Sequence, residues 1–479
     1  MKSLSSTSGK NGKYVYRFFC TVLMAAVSTV FFYHYWYNFI LDAMTGNSEV
    51  LRFGSHVLLG LGNLGMATGL YLVLYVVIGK WLRAFTVGVE RKSNVLAGQV
   101  LTLFVCAFSE IFLSCAITGQ FRNILAFVKM YSIMFLFQTV VLGVIEFVMV
   151  DIYWKSFPPL KLVEIYGDSV DSIGIKIATL KFKYEIAERI SLEDGESAIR
   201  EALAKYDAAL IDDIPAHDRN RMVKICFEMD KRVYYSPKIS DVLVKNSQEL
   251  NLIDAPLFLN KNKGIDPVHR FVKRSFDLAL SLLAFVILSP IMLITAAAIF
   301  LEDRGPVFFK QERVTYGGKR FMILKFRSMI VDAEKDGRPH PAGEHDDRIT
   351  KVGRFIRATR IDELPQLLNI IMGDMSIVGP RPERWEHVEQ YSKEIPVFAF
   401  RTKVKGGLTG YAQVYGQYNT TALDKLKLDL LYITNYSFLL DLQIIFQTIK
   451  ILFVKESTAG FTEEESRKLH DAVTEKSIL

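Results

Sequence analysis

Four long apolar stretches constrain this chain more than any other feature of its sequence. They occupy roughly residues 14–40, 55–79, 94–118 and 122–150. Each is near the ~20 residues that a helix needs to cross the hydrocarbon core of a bilayer. Because the bilayer interior offers no water to backbone groups, such stretches are expected to be helical there. The sequence therefore predicts a membrane protein with four N-terminal transmembrane helices.

Basic residues beside these stretches predict their orientation. Lys and Arg precede the first stretch and fill the loop between the second and the third, and the other loops contain few of them. The residues concerned are Lys10, Lys13, Arg17, Lys80, Arg83, Arg91 and Lys92. Because cytoplasmic flanks are enriched in Lys and Arg, the N-terminus and the 80–93 loop are predicted to be cytoplasmic. Everything after residue 150 then lies in the cytoplasm as well.

Composition excludes several other classes of protein. The 479 residues exceed what one ordinary core accommodates, so two or three domains are expected. The net charge of +7 comes with no zinc-finger spacing and no RNA-binding motif, so nucleic acid is not an expected partner. The basic excess suits anionic lipid headgroups and phosphorylated substrates better. Four scattered cysteines without a CxxC pair favour buried apolar roles over disulfides or zinc.

A polar, water-soluble segment follows Pro158 and Pro159. Residues 162–167, 208–214 and RVYYS (232–236) have strand-like composition and alternate with helical patterns, which predicts a small parallel sheet of Rossmann type. The first strand is followed by Gly167-Asp168, and no GxGxxG pattern is present. Since that glycine pattern lets a backbone approach a pyrophosphate, an empty, regulatory or dimer-forming module is expected rather than a cofactor domain.

A fifth apolar segment, residues 273–301, is interrupted by Ser289-Pro290. Proline removes a backbone donor and kinks a helix, and the Ser289 hydroxyl is placed to satisfy a carbonyl that the proline frees. The residues alone leave two interpretations nearly even: a fifth spanning helix with a kink, or a helix that bends and returns to the cytoplasmic side. The basic residues downstream favour re-entry.

The adjacent carboxylates Asp362 and Glu363 are the main candidates for chemistry. Basic residues surround them in the sequence, namely Lys325, Arg354, Arg357, Arg360 and Arg381. Such a setting suits an anionic substrate, most plausibly a phosphate ester, and an ionised Asp362 suits a nucleophile. Glycosidase carboxylates normally stand ~5 Å or more apart across a substrate bond, so neighbours in sequence fit that scheme poorly. The alternative is that Asp362 caps a helix while the arginines meet the membrane surface.

The remaining segments complete the C-terminal region. Residues 306–329 predict a hairpin around a Tyr-Gly-Gly-Lys turn. A glycine-punctuated turn at 405–414 is expected to lead into a short strand, and 424–454 predicts amphipathic helices. A charged tail follows.

Several motifs in this region resemble the bacterial sugar transferases, the monotopic-type polyprenyl-phosphate hexose-1-phosphate transferases. They are KRSFDLALSL, the Ser-Pro break, ILKFRSM, RIDELPQLLNIIMGDMSIVGPRP and GLTGYAQV, in this order and spacing. The resemblance covers about residues 270–458. The four helices and the Rossmann-like module resemble the long members of the family, by architecture only. Re-entry of the membrane helix at Ser289-Pro290 is also a family feature, so the resemblance favours it.

The resemblance implies a reaction and roles for the site residues. A UDP-sugar donates its sugar-1-phosphate to undecaprenyl phosphate, and UMP leaves. Asp362 is then the nucleophile that forms a covalent phospho-sugar enzyme, with Glu363 beside it and Mg²⁺ held by these two carboxylates. Lys325, Arg357 and Arg381 are expected to bind phosphate. The expected pathways are exopolysaccharide, capsule or O-antigen synthesis, which the long members initiate at the bacterial inner membrane.

The fold class expected from all of this is a membrane α+β protein. Its predicted parts are four transmembrane helices in 1–157, a Rossmann-like cytoplasmic module in 158–262, an α/β catalytic domain in 270–458 that contains the re-entrant helix 273–301, and a charged tail, 459–479. The expected partners are the two substrates, membrane lipids and, through the Rossmann-like module, a second copy of the chain in a homodimer.

The sequence departs from the family pattern at one segment, and two other functions were considered as alternatives. Many family members have Arg-Pro-Gly-Ile-Thr-Gly-Trp where this chain has Lys405-Gly406-Gly407 and Tyr411, which puts the identity of the donor sugar in doubt. A membrane-bound nucleotide-sugar dehydratase or epimerase would carry GxxGxxG and Tyr-x-x-x-Lys, and no convincing match is present. A non-catalytic scaffold of polysaccharide export would not need the carboxylate pair.

Overall fold

A computed structural model describes residues 3–44, 61–119, 121–167, 172–178, 180–252, 255–260, 264–331, 333, 346–416 and 420–453. The described residues form two compact units. One unit runs through Ser236 and also includes the described residues from Ile449 onward, and the other runs from Pro237 to Thr448. The predicted tail 459–479 and Asp168 lie outside the described residues. The predicted domain limits stay predictions.

The first unit begins with four long helices. They are α1 (Ser3–Met44), α2 (Leu61–Trp81), α3 (Lys92–Thr118) and α4 (Ile124–Ser156). Each contains a segment that is long and apolar enough to cross a membrane, as does one later helix. Buried side chains connect all four helices. The Trp36 indole donates to the Tyr131 hydroxyl at 2.7 Å, the Gln138 amide donates to the Tyr71 hydroxyl at 3.0 Å, and the hydroxyls of Ser114 and Tyr131 lie 2.7 Å apart. That exactly these four cross a membrane remains a prediction.

A parallel sheet with flanking helices follows in the same unit. Its elements are β1 (Leu160–Tyr166), α5 (Ser172–Ala178), β2 (Tyr184–Ser191), α6 (Gly195–Lys205), β3 (Ala208–Ile211), α7 (Ala216–Glu228) and β4 (Arg232–Tyr235). The strand order is β2-β1-β3-β4, and all pairs are parallel. The sequence patterns anticipated β1, β3 and β4 but missed the edge strand β2. Its charged, alternating sequence YEIAERIS lacks the apolar run of a central strand.

The second unit opens with a short helix and an exposed hairpin. They are α8 (Ile239–Val244), β5 (Gln248–Leu252) and β6 (Ala255–Leu259). The sequence analysis did not predict the hairpin, because its first strand, QELNL, lacks the strand composition that marks the other strands. Both strands belong to this unit rather than to the parallel sheet.

The remaining elements of the second unit surround a shared apolar core. They are α9 (Pro267–Asp303), β7 (Phe308–Val314), β8 (Arg320–Phe326), α10 (Lys351–Ala358), α11 (Gln366–Met372), β9 (Ser376–Val378), α12 (Trp385–Glu394), β10 (Gly407–Thr409), α13 (Tyr411–Tyr415), α14 (Ala422–Thr434) and α15 (Phe438–Phe453), the last of which extends past the limit of the unit. Strands β7 and β8 form the predicted antiparallel hairpin, and β9 pairs with β10 in parallel. Ile323, Leu367, Ile370 and Tyr432 are among the core residues.

One local prediction in this unit is confirmed only in part. The glycine-punctuated segment 405–414 was expected to lead into a short strand, and Gly407–Thr409 is extended, but Tyr411–Tyr415 forms a helical turn. The glycine at 407 is required by close packing: a Cβ there would lie 2.1 Å from the Gly379 backbone nitrogen. The two strands therefore approach too closely for a side chain at this point.

Helix α9 is continuous through Pro290. Proline has no N–H, so the Val286 carbonyl four residues earlier loses its helical donor. The Ser289 hydroxyl donates to that carbonyl at 2.8 Å, as the sequence analysis expected. Re-entry of this helix stays a prediction.

Candidate active site

Strand β8 presents Lys325 to the interior of the second unit. Phe321 and Ile323 are buried, and Lys325 has the same parity along the strand, so all three point to one face. The buried Asn369 of α11 holds this strand: its side-chain oxygen accepts from the Leu324 N–H at 2.9 Å, and its amide donates to the Met322 carbonyl at 2.9 Å. One buried amide thus fixes the hairpin against the helix that follows the two candidate carboxylates.

The two carboxylates lie in a tight turn immediately before α11. Ile361–Glu363 forms one 3-10 turn, preceded by Arg360 with a φ of 59°. Few non-glycine residues adopt this left-handed conformation, and it is commonly retained where surrounding structure and function require it. Helix α11 begins at Gln366 with Pro365 as its N-cap, so both carboxylates precede it. Asp362 forms no helix cap.

Three cationic side chains lie close to one carboxylate oxygen of Glu363. Its Oε1 lies 3.1 Å from the Lys325 ammonium, 3.0 Å from the Arg381 guanidinium and 4.0 Å from Arg360. Only 12% of its side chain is exposed. Burial alone would raise the pKa of Glu363, but the charges of Arg381 and Lys325 outweigh it and lower the pKa to about 2. Glu363 is therefore a permanent anion at neutral pH.

Asp362 has a different environment from its neighbour. Its Oδ1 is buried and has no hydrogen-bond partner in the part of the chain that the structure describes. Burial raises the pKa of Asp362, and the adjacent Glu363 charge raises it further, against the opposing charges of Lys325, Arg360 and Arg357. Arg381 and Arg360 contact Glu363 rather than Asp362, at 3.0 and 4.0 Å. The Oδ1 of Asp362 therefore keeps its capacity to accept a further bond.

The three predicted phosphate-binding residues surround this pair. Lys325 is mostly buried, and burial is the main cause of its lowered pKa. Arg381 is 38% exposed on its side chain, so its guanidinium reaches both Glu363 and solvent. Arg357, on α10, is half-buried; it forms no hydrogen bond or ion pair with the described residues, yet its charge acts on Asp362. The structure thus brings together Lys325, Arg357 and Arg381.

The two remaining arginines of the motif differ from each other. Arg354 is exposed, which agrees with the surface position expected for it. Arg360 was assigned to lipid contact as well, but the structure places its guanidinium 4.0 Å from Glu363 with 54% of its side chain exposed. Four cationic side chains therefore surround two carboxylates, and the described part of the site carries a net positive charge that suits an anionic ligand.

Comparison with known proteins decides the family. A profile of the bacterial sugar transferase family matches residues 268–455. A UDP-glucose:undecaprenyl-phosphate glucose-1-phosphate transferase of Caulobacter vibrioides is 41% identical, over 39% of this chain and 71% of that protein. The chain belongs to the bacterial sugar transferase family.

Two longer relatives align over less of their length. A UDP-N-acetylgalactosamine-undecaprenyl-phosphate N-acetylgalactosaminephosphotransferase of Aeromonas hydrophila is 39% identical over 52% of this chain and 59% of its own length. A UDP-glucose:undecaprenyl-phosphate glucose-1-phosphate transferase of Klebsiella pneumoniae is 41% identical over 47% of this chain and 49% of its own length. The chain thus spans about half the length of these relatives. The segment that the family profile matches, residues 268–455, includes the Asp362-Glu363 turn.

In this member of the sugar transferase family, the carboxylates fit a magnesium ion only together with a substrate. No group of three or more potential protein ligands occurs among the residues that the structure describes. Mg²⁺, however, is usually held by one or two carboxylates, several waters and substrate phosphates. The unpartnered Oδ1 of Asp362 is an oxygen ligand of the kind that Mg²⁺ prefers. The donor set therefore fits a metal that arrives with a phosphorylated ligand.

Sequence reasoning missed a second group of charged residues in this transferase. Arg313, Glu383, Arg401 and Asp429 meet behind the turn that carries Arg381. Arg313 was noticed only as one of several basic residues of the hairpin, and the other three were not singled out. Their partners are distant in sequence, so no motif or periodicity could have revealed them.

Proposed function

We propose that this protein transfers hexose-1-phosphate from a UDP-sugar to undecaprenyl phosphate and releases UMP. The observation that carries the proposal is the buried, unpartnered Oδ1 of Asp362 beside a Glu363 that Lys325 and Arg381 hold ionised. The relatives named above carry names that state this class of reaction with glucose or N-acetylgalactosamine. This chain is accordingly a phosphoglycosyl transferase in our proposal.

The first step is attack by Asp362 on the phosphorus that bears the sugar. A bond forms between the carboxylate oxygen and that phosphorus, and the bond from the same phosphorus to the UMP oxygen breaks. UMP leaves with the electron pair. In the second step, a phosphate oxygen of undecaprenyl phosphate attacks the phosphorus and releases the Asp362 carboxylate. The products are UMP and a lipid-linked diphosphate sugar.

Lys325, Arg357 and Arg381 would bind the phosphate oxygens. Arg381 is suited to this because it is partly exposed, and Arg357 because it forms no ion pair with the described residues. Such groups stabilise charge that develops in a phosphoryl-transfer transition state. The low pKa of Glu363 argues against a role in proton transfer at neutral pH, so its role is to orient Lys325 and Arg381.

Mg²⁺ would be held by Asp362 and Glu363 together with the donor diphosphate. When bound, it supplies charge neutralisation at the phosphates. The protein's own contribution is the tight turn that keeps both carboxylates in place and the cations that surround them.

The packing of α9 supports re-entry rather than spanning. Near its first end, Arg274 donates to the Ile370 carbonyl at 2.6 Å, and at its other end Asp303 pairs with Arg327 of the same compact unit. Apolar side chains between these ends, among them Val286, Leu293 and Ile294, are exposed. Both ends of α9 therefore contact the second compact unit. If α9 crossed the bilayer, that unit would have to lie on both sides of the membrane.

We therefore propose that α9 enters the cytoplasmic leaflet of the bacterial inner membrane and returns. The site would then lie at the membrane surface, where a lipid phosphate and a soluble nucleotide sugar both reach it. Single cysteines replacing Val268 and Arg304 near the two ends should both react with an impermeant thiol reagent only after cells are opened. Labelling of one end in intact cells would contradict re-entry.

Nucleotide product analysis tests the proposed reaction. The purified full chain is incubated with Mg²⁺, undecaprenyl phosphate and, in separate reactions, UDP-glucose, UDP-galactose and their N-acetylated forms. At least one donor should yield UMP together with a lipid-linked sugar. Release of UDP would indicate an ordinary glycosyl transfer, and absence of UMP from all donors would contradict the proposal. Asp362→Asn should abolish UMP release. Its matched control is Asp374→Asn, since Asp374 belongs to the same unit and pairs with Lys319 at 3.6 Å rather than with the site residues.

A further inference from the structure

Four charged side chains form a cluster behind the turn that carries Arg381. The Arg401 guanidinium lies 2.7 Å from Asp429 and 3.6 Å from Glu383, and Glu383 lies 4.0 Å from Arg313. Arg401 and Asp429 are almost fully buried, with side chains 7% and 1% exposed. Two positive and two negative groups make the cluster electrically neutral, so it adds no net charge to the site.

The two arginines of this cluster also hold the backbone of the Arg381 turn. Arg401 donates through Nη2 to the carbonyl of Arg381 itself at 3.0 Å. Arg313 donates through Nη1 to the next carbonyl, that of Pro382, at 3.1 Å. On the other side, the Gly407 N–H donates to the Pro380 carbonyl at 2.9 Å. Three successive carbonyls around Arg381 are thus each fixed by a donor from a different segment of the chain.

Asp429 orients the guanidinium that makes the contact with Arg381. Its Oδ2 accepts from Arg401 Nε at 3.1 Å and from Nη2 at 2.7 Å, and the same Nη2 donates to the Arg381 carbonyl. Two N–H groups of one guanidinium that donate to the same carboxylate oxygen fix the plane of the guanidinium as well as its position. Lysine cannot reproduce it, because its ammonium is a point charge on a flexible chain.

We propose that Arg401, oriented by Asp429, is a positioning residue for Arg381. This inference rests on the proposed function, in which the Arg381 guanidinium binds substrate phosphate. The Arg381 guanidinium is at the end of a long and partly exposed side chain, so its reach to Glu363 and to a phosphate depends on where its backbone is held. A displacement of about 1 Å in a site of this kind costs on the order of 100-fold in rate.

A double-mutant cycle tests the inference. Arg401→Lys keeps a positive charge near Asp429 but loses the paired donation from Nε and Nη2, and we expect it to lower kcat/KM for UMP release by about 10- to 100-fold. Arg381→Ala should lower it further. If Arg401 acts through Arg381, adding Arg401→Lys to Arg381→Ala should change kcat/KM by less than about threefold, since interacting residues are non-additive. If Arg401→Lys lowered kcat/KM by the same factor in the wild-type chain and in Arg381→Ala, the inference would be overturned.

Arg274→Lys is the matched control for this cycle. Arg274 also donates to two backbone carbonyls, those of Ile370 and Ile371, at 2.6 and 2.9 Å, but at the far end of α11. Any loss of kcat/KM that it causes should multiply with that of Arg381→Ala. If it were non-additive to the same extent as Arg401→Lys, no specific link between Arg401 and Arg381 would remain, and the inference would fail.

A second variant covers the case in which Arg401→Lys does not fold. Asp429→Asn keeps the shape of the side chain and removes the charge that orients Arg401, so it should lower kcat/KM in the wild-type background and have little effect beside Arg381→Ala. If Asp429→Asn lowered kcat/KM by the same factor with and without Arg381→Ala, the inference would again be overturned. Absence of UMP from the wild-type chain would instead refute the proposed function itself, which distinguishes the two failures.

Discussion

Buried carboxyl groups have different environments in the N-terminal helices and in residues 268–455, which match the sugar transferase profile and are called the transferase domain below. Glu110 of α3 and Glu146 of α4 are 1% and 2% exposed, and none of their side-chain oxygens has a hydrogen-bond partner among the described residues. In the transferase domain, Asp277 accepts from the Ser376 hydroxyl and the Ile377 N–H, and Asp441 accepts from Lys273 and Tyr432. There, carboxylates connect segments that are far apart in the sequence.

Asp362 differs from Asp277 and Asp441. Like Glu110, it has a buried oxygen without a hydrogen-bond partner among the described residues. Unlike Glu110, it has four cationic side chains around it, and three of them, Lys325, Arg360 and Arg381, contact its neighbour Glu363. Glu110 lies in an apolar helix, whereas Asp362 lies among cationic side chains that suit an anionic ligand. Under the proposed function, Glu110 takes no part in the reaction and Asp362 is the nucleophile.

Asp362→Asn should have the largest effect on activity. We expect a loss of UMP release on the order of 10⁴-fold, as when a covalent nucleophile is removed. Because no partner is left unpaired, the free energy of unfolding should change by less than about 1 kcal/mol. Activity is measured with purified protein, and unfolding of the detergent-solubilised chain is followed by fluorescence. Retained activity would place Asp362 with Glu110 among the unused carboxyls.

Lys273→Met should have the largest effect on stability. It leaves Asp441, 2% exposed, without the ammonium that lies 2.7 Å away. Removal of one partner of a buried pair typically costs about 3–5 kcal/mol. The double variant Lys273→Met/Asp441→Leu, which removes both charges, should recover much of that loss. Failure of the double variant to recover stability would show that packing rather than charge is responsible.

Glu363→Gln should lower stability in a pH-dependent way. The folded-state pKa of Glu363, about 2, lies below the ordinary value of a glutamate, so its ionised form is stabilised by folding. The contribution, about 3 kcal/mol, is complete above pH ~4.3 and is lost as the pH falls towards 2. Wild type and variant should therefore differ at pH 7 and converge near pH 2. If the free energies of unfolding of wild type and Glu363→Gln differed by the same amount at pH 7 and near pH 2, the low pKa of Glu363 would be contradicted.

Glu110→Gln should have the smallest effect. The substitution removes no hydrogen bond or ion pair among the described residues, so the free energy of unfolding should change by about 0.5 kcal/mol or less. UMP release should be unchanged. A loss of activity comparable with that of Asp362→Asn would end the distinction between the two regions.

The sequence predicted the site's principal residues better than their environment. Lys325, Arg357 and Arg381 were identified because they belong to motifs, and the structure brings them together around Asp362 and Glu363. What each carboxylate contacts was not predictable, because it depends on side-chain geometry within a single turn. Arg401 and Asp429 were missed for another reason: their contacts join segments that are separated in sequence and carry no motif.

Secondary-structure elements were likewise predicted correctly where local sequence pattern determines them, and were missed where it does not. The apolar strand β1 and the hairpin β7–β8 were anticipated from composition and turn residues. The charged edge strand β2 and the helical turn at Tyr411–Tyr415 were not, because pairing and packing overrode their local preferences.

A mass measurement of the intact protein tests the central claim most directly. The full chain is incubated with Mg²⁺ and a UDP-sugar that supports turnover, without undecaprenyl phosphate, and is then quenched. The account predicts that one hexose phosphate is added per chain with an equal amount of UMP, that undecaprenyl phosphate removes the addition, and that Asp362→Asn never acquires it. Rapid turnover without any such addition, or an addition that persists in Asp362→Asn, would contradict the assignment of Asp362 as the nucleophile.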